Sequence, residues 1–290
     1  MPLLGAHMSI AGHPEKALLR GRDVGCRVIQ IFTRYRARWS AKDLTQVEAE
    51  AFLRTREKTS VLPVAIHTSY LINLASPRSD AREKSVSTLQ KEMEWAKLLD
   101  IPYLVMHPGS HLGAGVKEGL KRVSEGIDRI HEKAGDCPTK ILLETTAGQG
   151  ANLGYRFEQL AEIIELSNAG ERLGICLDTC HIFAAGYDFR TEKTYRTLLQ
   201  KFDIIIGLDR LKLFHINDSK KGLGSKLDRH EHPGTGLLGL KAFSLLLNEP
   251  LFADLPFLLE TPKDADENGV DRDIVNLNIL KSLIKEAENT

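Results

Sequence analysis

Six short apolar runs in this chain end on a side chain that can ligate a divalent metal: PVAIH on His67, YLVMH on His107, ILLE on Glu144, GICLD on Asp178, LKLFH on His215 and FLLE on Glu260. Taken singly, a histidine at such a point is more often a satisfied core or loop residue, and a lone Glu144 or Asp178 can simply cap the next helix. Gathered in one place, three imidazoles and three carboxylates would repel and desolvate one another without a cation among them. Three more candidates lie in loops. His181 follows Asp178 by three residues in LDTCH, so a helical turn there puts both side chains on one face. Asp228 and His230 belong to DRH, whose spacing in an extended loop puts both on one side, although DRH alone reads as a solvated charged loop.

These five histidines and four carboxylates exceed what one four- or five-coordinate ion uses, which points to a cluster of ions. Imidazole-rich coordination without thiolate favours zinc, with manganese or iron as competitors, whereas magnesium prefers oxygen ligands and water. Cys180 beside them reads as a buried bystander, and His7 and His111 are the best-placed outer partners for the ligands. Clustered divalent ions suit displacement at phosphorus, because they acidify a bridging water, hold a phosphate in line and neutralise the leaving oxygen. The rival is a metal-dependent sugar isomerase or epimerase, which would also need acids and histidines at one mouth. A binding protein without turnover is a third class.

The elements that would position these residues follow from their separations. The six run ends are 40, 37, 34, 37 and 45 residues apart, the length of one strand, one helix and two loops. Runs this short, rich in isoleucine, leucine and valine and separated by polar helical patterns, read as parallel strands joined by helical crossovers. With LLGAH ending on His7 and VIQIF ending before Thr33, they make eight strands, and hence an α/β fold, a (β/α)₈ TIM barrel whose strand ends converge on one mouth. Helices are expected over 14–24, 44–58, 79–99, 117–133, 155–166, 240–247 and 272–288. The 194–206 stretch is ambiguous, because TYRTLLQKF looks helical while DIIIG suits a strand.

A barrel of this kind takes about 250 residues, so the 290 here are expected to form a single domain over 1–290 with modest loop insertions. No signal peptide or transmembrane helix is expected, and four cysteines in a chain of this size favour reduced thiols in a cytosolic setting over a disulfide framework. The 39 basic and 39 acidic residues cancel, which gives no basic footprint for nucleic acid and favours a small-molecule enzyme. That count omits metal: three divalent ions with one hydroxide would add about five positive charges at the mouth and attract a polyanion.

HTSYLINL (67–74), HPGSH (107–111), ETTAGQGANLG (144–154), LDTCHIFAAGYD (177–188), HINDSK (215–220), DRH (228–230) and LLET (258–261) closely resemble the endonuclease IV family, and the match begins at GAHMSIAG (5–12). The resemblance implies a trinuclear zinc deoxyribonuclease of base excision repair, acting as a cytoplasmic monomer on double-stranded DNA containing abasic sites. It implies that His67 and His107 hold one zinc and that Glu144 bridges it to a second, completed by Asp178, His215 and Glu260. His181, Asp228 and His230 would hold the third. A bridging hydroxide would attack the phosphorus 5′ of the abasic deoxyribose, with Glu144 as base, leaving a 3′-hydroxyl. Tyr70 and Leu71 match residues this family inserts through the minor groove, where apolar wedges stabilise a bent duplex; loop-to-core packing is the plainer reading. In TRYRARW (33–39), Ala37 stands where the family has a wedge arginine. Arg36 and Arg38 then serve either as phosphate contacts or as replacements for that wedge. His13 stands where the family has glycine, and nothing in the sequence explains it.

Overall fold

The computed structural model of the chain describes residues 2–33 and 43–285. Seven strands arise in order, β1 (Leu3–Met8), β2 (Val28–Phe32), β3 (Leu62–His67), β4 (Tyr103–Met106), β5 (Lys140–Glu144), β6 (Leu173–Asp178) and β7 (Leu211–His215). A two-stranded hairpin of β8 (Asp218–Ser219) and β9 (His230–Glu231) interrupts them before β10 (Pro256–Leu259). All but the hairpin close into one parallel barrel, with β10 between β7 and β1. The expected eight-stranded architecture is the observed one.

Strand side chains alternate sides with period two, so the residue two places before each strand-end candidate shares its face. With Val28 of β2, those residues form a core of their own inside the barrel: Ala65, Val105, Leu142, Cys176, Leu213 and Leu258 are, like Val28, fully buried and pack together. They make a floor beneath the metal candidates, the layered filling that a barrel of this size requires. β1 supplies Gly5 to that side, and a Cβ there would lie 1.7 Å from the Val28 carbonyl oxygen, so no larger residue fits. The second core is a shell of leucine, isoleucine and phenylalanine between the strands and the surrounding helices.

The helices are α1 (Lys16–Asp23), α2 (Gln46–Thr59), α3 (Ser79–Leu98), α4 (Val116–Ala134), α5 (Phe157–Leu166), α6 (Thr179–Ala185), α7 (Glu192–Ile205), α8 (Leu240–Leu247) and α9 (Arg272–Ser282). Six lie within three residues of their expected bounds, and α9 ends six residues earlier than expected. The ambiguity over 194–206 resolves as helix: α7 buries Tyr195, Leu198 and Phe202 at helical spacing, and DIIIG supplies its last turn. Among the described residues no helix is long and apolar enough to cross a membrane. All four cysteines are buried and unbridged.

Candidate metal centre

β3, β5, β6 and β7 deliver His67, Glu144, Asp178 and His215 as their last residues, and β4 and β10 deliver His107 and Glu260 one residue beyond their ends. Strand register places Asp178 opposite His215. Beyond β6 the chain turns directly into α6, whose N-cap is Asp178: its Oδ1 accepts from the His181 backbone N–H at 2.7 Å. That cap satisfies one orphan donor of the helix and brings the His181 ring back over the strand ends. His230 begins β9, and Asp228 precedes it in the loop from β8. All nine candidates therefore converge on one mouth.

Glu144 is the centre of the group. Its carboxylate has no solvent exposure; Oε2 lies 2.9 Å from His67 Nε2 and 3.0 Å from His107 Nε2, and Oε1 lies 3.0 Å from His215 Nδ1 and 3.2 Å from His181 Nδ1. Asp228 Oδ2 stands 3.1 Å from His181 Nε2 and Oδ1 3.4 Å from His230 Nε2, which is 3.5 Å from Asp178 Oδ2. Glu260 Oε2 is 3.3 Å from His215 Nδ1. Potential ligand atoms fall into overlapping groups, His67 with Glu144, His215 and Glu260; His107 with Glu144 and His181; Asp178 with His181 and His230; and Cys180 with Asp228 and His230. The geometry brings the nine together without dividing them into three sets.

The outward side of each ring decides what the inward side can do. His67 Nδ1 donates to the Thr68 carbonyl at 2.8 Å, His181 Nδ1 to the Thr145 carbonyl at 2.8 Å and His230 Nδ1 to the Glu260 carbonyl at 3.2 Å. His215 Nε2 donates to Gln30 Oε1 at 3.0 Å. A carbonyl oxygen only accepts, so the proton of each neutral ring sits on the nitrogen that faces it, and the other nitrogen turns a lone pair to a carboxylate, His67 and His215 to Glu144 and His181 and His230 to Asp228. Lone pairs opposed at such distances need a cation between them, either a proton or a metal ion, and the donor set fits a divalent ion on this ground.

Electrostatics repeat the pattern. Burial alone would lower the basicity of His67, His181 and His215, yet all three are raised: by Glu144 for His67, by Asp178 and Asp228 for His181, and by Cys176, Glu260 and Glu144 for His215. Burial opposes ionisation of the acids too, but His107 and His215 hold Glu144 well below its usual range, and His215 and His67 bring Glu260 down to about 2. Asp228 is lowered likewise, against its burial, by His181. Glu144, Glu260 and Asp228 are thus pushed toward the ionised form and His67, His181 and His215 toward the protonated one, the distribution a cation would replace.

The centre opens into a cavity of about 340 Å³ lined by six of the candidates with Phe32, Thr68 and Tyr70. Tyr70 is 70% exposed, which removes it from any core, whereas Leu71 is half-buried. A neighbouring groove of about 890 Å³ runs past Ile10 and Phe32 between Lys220, Arg229 and Lys263. Arg36, Ala37 and Arg38 lie outside the described residues. Of the two expected outer partners, His7 reaches the centre, 3.8 Å from Glu260, while His111 accepts instead from the Gly115 backbone N–H.

Two residues of the site escaped sequence reasoning. Asn217 is fully buried, donates to Asp178 Oδ2 at 2.7 Å and accepts from the Glu260 backbone N–H at 2.8 Å. Gln30, also fully buried, binds Glu260 and His215. A signal for it was present: in VIQIF a polar side chain occupies an inward position of a strand that is otherwise apolar.

The family described as xylose isomerase-like TIM barrel matches residues 18–280, and the chain is a member of that class. Structural likeness extends to a D-tagatose 3-epimerase-like protein, with a TM-score of 0.72 over 96% of both chains, but at 20% identity this reflects the shared barrel alone. A protein from Chloroflexus aurantiacus described as probable endonuclease 4 is 51% identical over 288 residues, 99% of this chain and 100% of its own. Endonuclease IV from Thermus thermophilus, known from a crystal structure, is 36% identical, with a TM-score of 0.85 over 99% of this chain and 100% of that one. This chain belongs to the endonuclease IV family.

Proposed function

We propose that this protein is a zinc-dependent endodeoxyribonuclease of base excision repair, which hydrolyses the phosphodiester 5′ to an abasic site in double-stranded DNA and leaves a 3′-hydroxyl. The observation that carries the reading is the Glu144 carboxylate, fully buried and contacted by four imidazoles, two of which, His67 and His215, donate from their far nitrogen to an oxygen that can only accept. Family membership supports the nuclease activity and DNA as the substrate.

His67, His107 and Glu144 would hold one ion, Glu144 with Asp178, His215 and Glu260 a second, and His181, Asp228 and His230 a third. Three zinc ions, with manganese or iron as substitutes, would supply Lewis acidity at a phosphodiester and lower the pKa of nearby water. Glu144, ionised in the site, would orient the attacking water by accepting its hydrogen bond and take up the departing proton on a carboxylate oxygen. Tyr70, exposed at the cavity rim, and Leu71 beside it would enter the minor groove, where a missing base lowers the cost of swinging the sugar out. Arg36 and Arg38 would contact phosphate. The unbridged cysteines support a reducing, cytoplasmic setting, and the protein is taken to act as a monomer.

The test is to incubate an abasic duplex with metal-replete protein and then with a polymerase. Extension from the nick is expected, since hydrolysis leaves a 3′-hydroxyl whereas a lyase leaves an unsaturated sugar. Binding without nicking, or epimerisation of free ketoses with indifference to DNA, would overturn the proposal. Metal determination on gently purified protein should return about three zinc ions per chain, the number implied by nine ligands at three to four per ion.

A further inference from the structure

We propose that Gln30 is a positioning residue of the metal centre, which fixes the nitrogen of His215 and the oxygen of Glu260 that face the ion. The inference rests on the metal reading above and concerns the ion of Asp178, His215 and Glu260. Gln30 sits in the middle of β2 with no solvent exposure. Its Nε2 donates to Glu260 Oε1 at 2.7 Å and stands 3.1 Å from His7 Nδ1, and its Oε1 accepts from His215 Nε2 at 3.0 Å.

Chemistry fixes the orientation of this amide. A carboxylate only accepts, so the NH₂ group must face Glu260; turning the amide over would oppose two oxygens at 2.7 Å. The amide oxygen is then committed to His215, whose Nε2 must carry a proton. The second N–H is left for His7 Nδ1, and all three polar contacts are made.

The consequence falls on the inward atoms. With Nε2 protonated, neutral His215 presents the lone pair of Nδ1, 3.0 Å from Glu144 Oε1, 3.3 Å from Glu260 Oε2 and 3.9 Å from Asp178 Oδ2. Glu260, tethered through Oε1, presents Oε2 to the same point. Without Gln30 the ring is free to carry its proton on Nδ1 and donate to those carboxylates, a tautomer that competes with any ion. His67, His181 and His230 are fixed by main-chain carbonyls, which no substitution removes. His215 depends on a side chain, so Gln30 is a position where sequence can set the affinity of one ion.

Gln30→Met fills the same volume without hydrogen bonds and supplies the test, by chelator competition on full-length zinc-loaded protein with ions counted per chain. One ion is expected to weaken 10- to 100-fold, the loss typical of removing a partner behind a ligand, while the others change less than about twofold. Nicking should fall with that ion and return when zinc is raised. Equal weakening of every ion would mean a general packing role and would overturn the proposal, as would unchanged affinity. Should methionine prevent folding, Gln30→Asn keeps an amide too short to reach both partners, and the same one-ion loss is expected. Wild-type protein that held no tight zinc would sink the metal reading itself and this inference with it, a result read separately from the variants.

Discussion

Glu144 and Asp178 each hold more than one partner, and their atoms divide the work. Asp178 gives Oδ1 to the start of α6 and receives Asn217 on Oδ2, so it is a helix cap and a candidate ligand at once. Glu144 has no such structural duty: both oxygens face imidazoles, and its burial is tolerated because those rings hold it ionised. Glu144→Gln keeps the size and removes the charge, leaving an amide whose NH₂ offers nothing to an ion. Nicking of an abasic duplex is expected to fall by about 10³-fold, within the range for loss of an acid–base group, with an unchanged far-UV circular dichroism spectrum. Single-turnover nicking assays check this. Retained activity would move the role to another carboxylate of the centre, Asp178, Asp228 or Glu260.

The residues proposed to face DNA follow β2 and β3 in the sequence. Tyr70→Ala deletes an aromatic ring that is 70% exposed, so it should leave Tm unchanged and weaken binding to abasic duplex by roughly tenfold, as for the loss of one stacking side chain. If it destabilises the fold instead, the ring packs rather than inserts. Arg36→Ala and Arg38→Ala, each removing one proposed phosphate contact, should each lower the slope of log affinity against log salt by about one. An unchanged slope for both would remove the two arginines from the interface. Element by element, the chain was readable where one pattern dominated: a run such as ILLE or LKLFH is apolar, strand-length and closed by a ligand. Reading faltered where patterns competed. DIIIG has the β-branched composition of a strand, but Tyr195, Leu198 and Phe202 set a helical period that carries through it, with Gly207 at φ +96° beyond the end. The one polar residue of VIQIF marks Gln30 as inward-facing without naming its partner, and Asn217 carries no such sign; only the closed barrel brings β2 and the segment after β7 against Glu260.

At the scale of the molecule, the neutral sum of charges conceals a buried cluster of acids and imidazoles that perturb one another. Take the metal-free protein first. His181 and His215 are raised well above their ordinary 6.5, so the stability they add is complete below about pH 6.5 and lost as pH rises through their folded values. Glu260 is lowered from 4.5 to about 2, so its contribution is present above about pH 4.5 and lost as pH falls toward 2. Ion pairing within the centre therefore supports the metal-free fold best between about pH 4.5 and 6.5. The proposed zinc would work in the opposite direction, because its ligands must be neutral imidazoles and binding would release the protons that raised values retain. Adding a chelator should thus lower Tm little near pH 5.5 and by roughly 5–10 °C near pH 8, the shift expected when zinc at a thousand times its dissociation constant contributes about 4 kcal/mol. Differential scanning calorimetry at the two pH values checks this. An equal drop at both would mean that the protons on these histidines do not compete with the ion, and therefore that His181 and His215 are not its ligands.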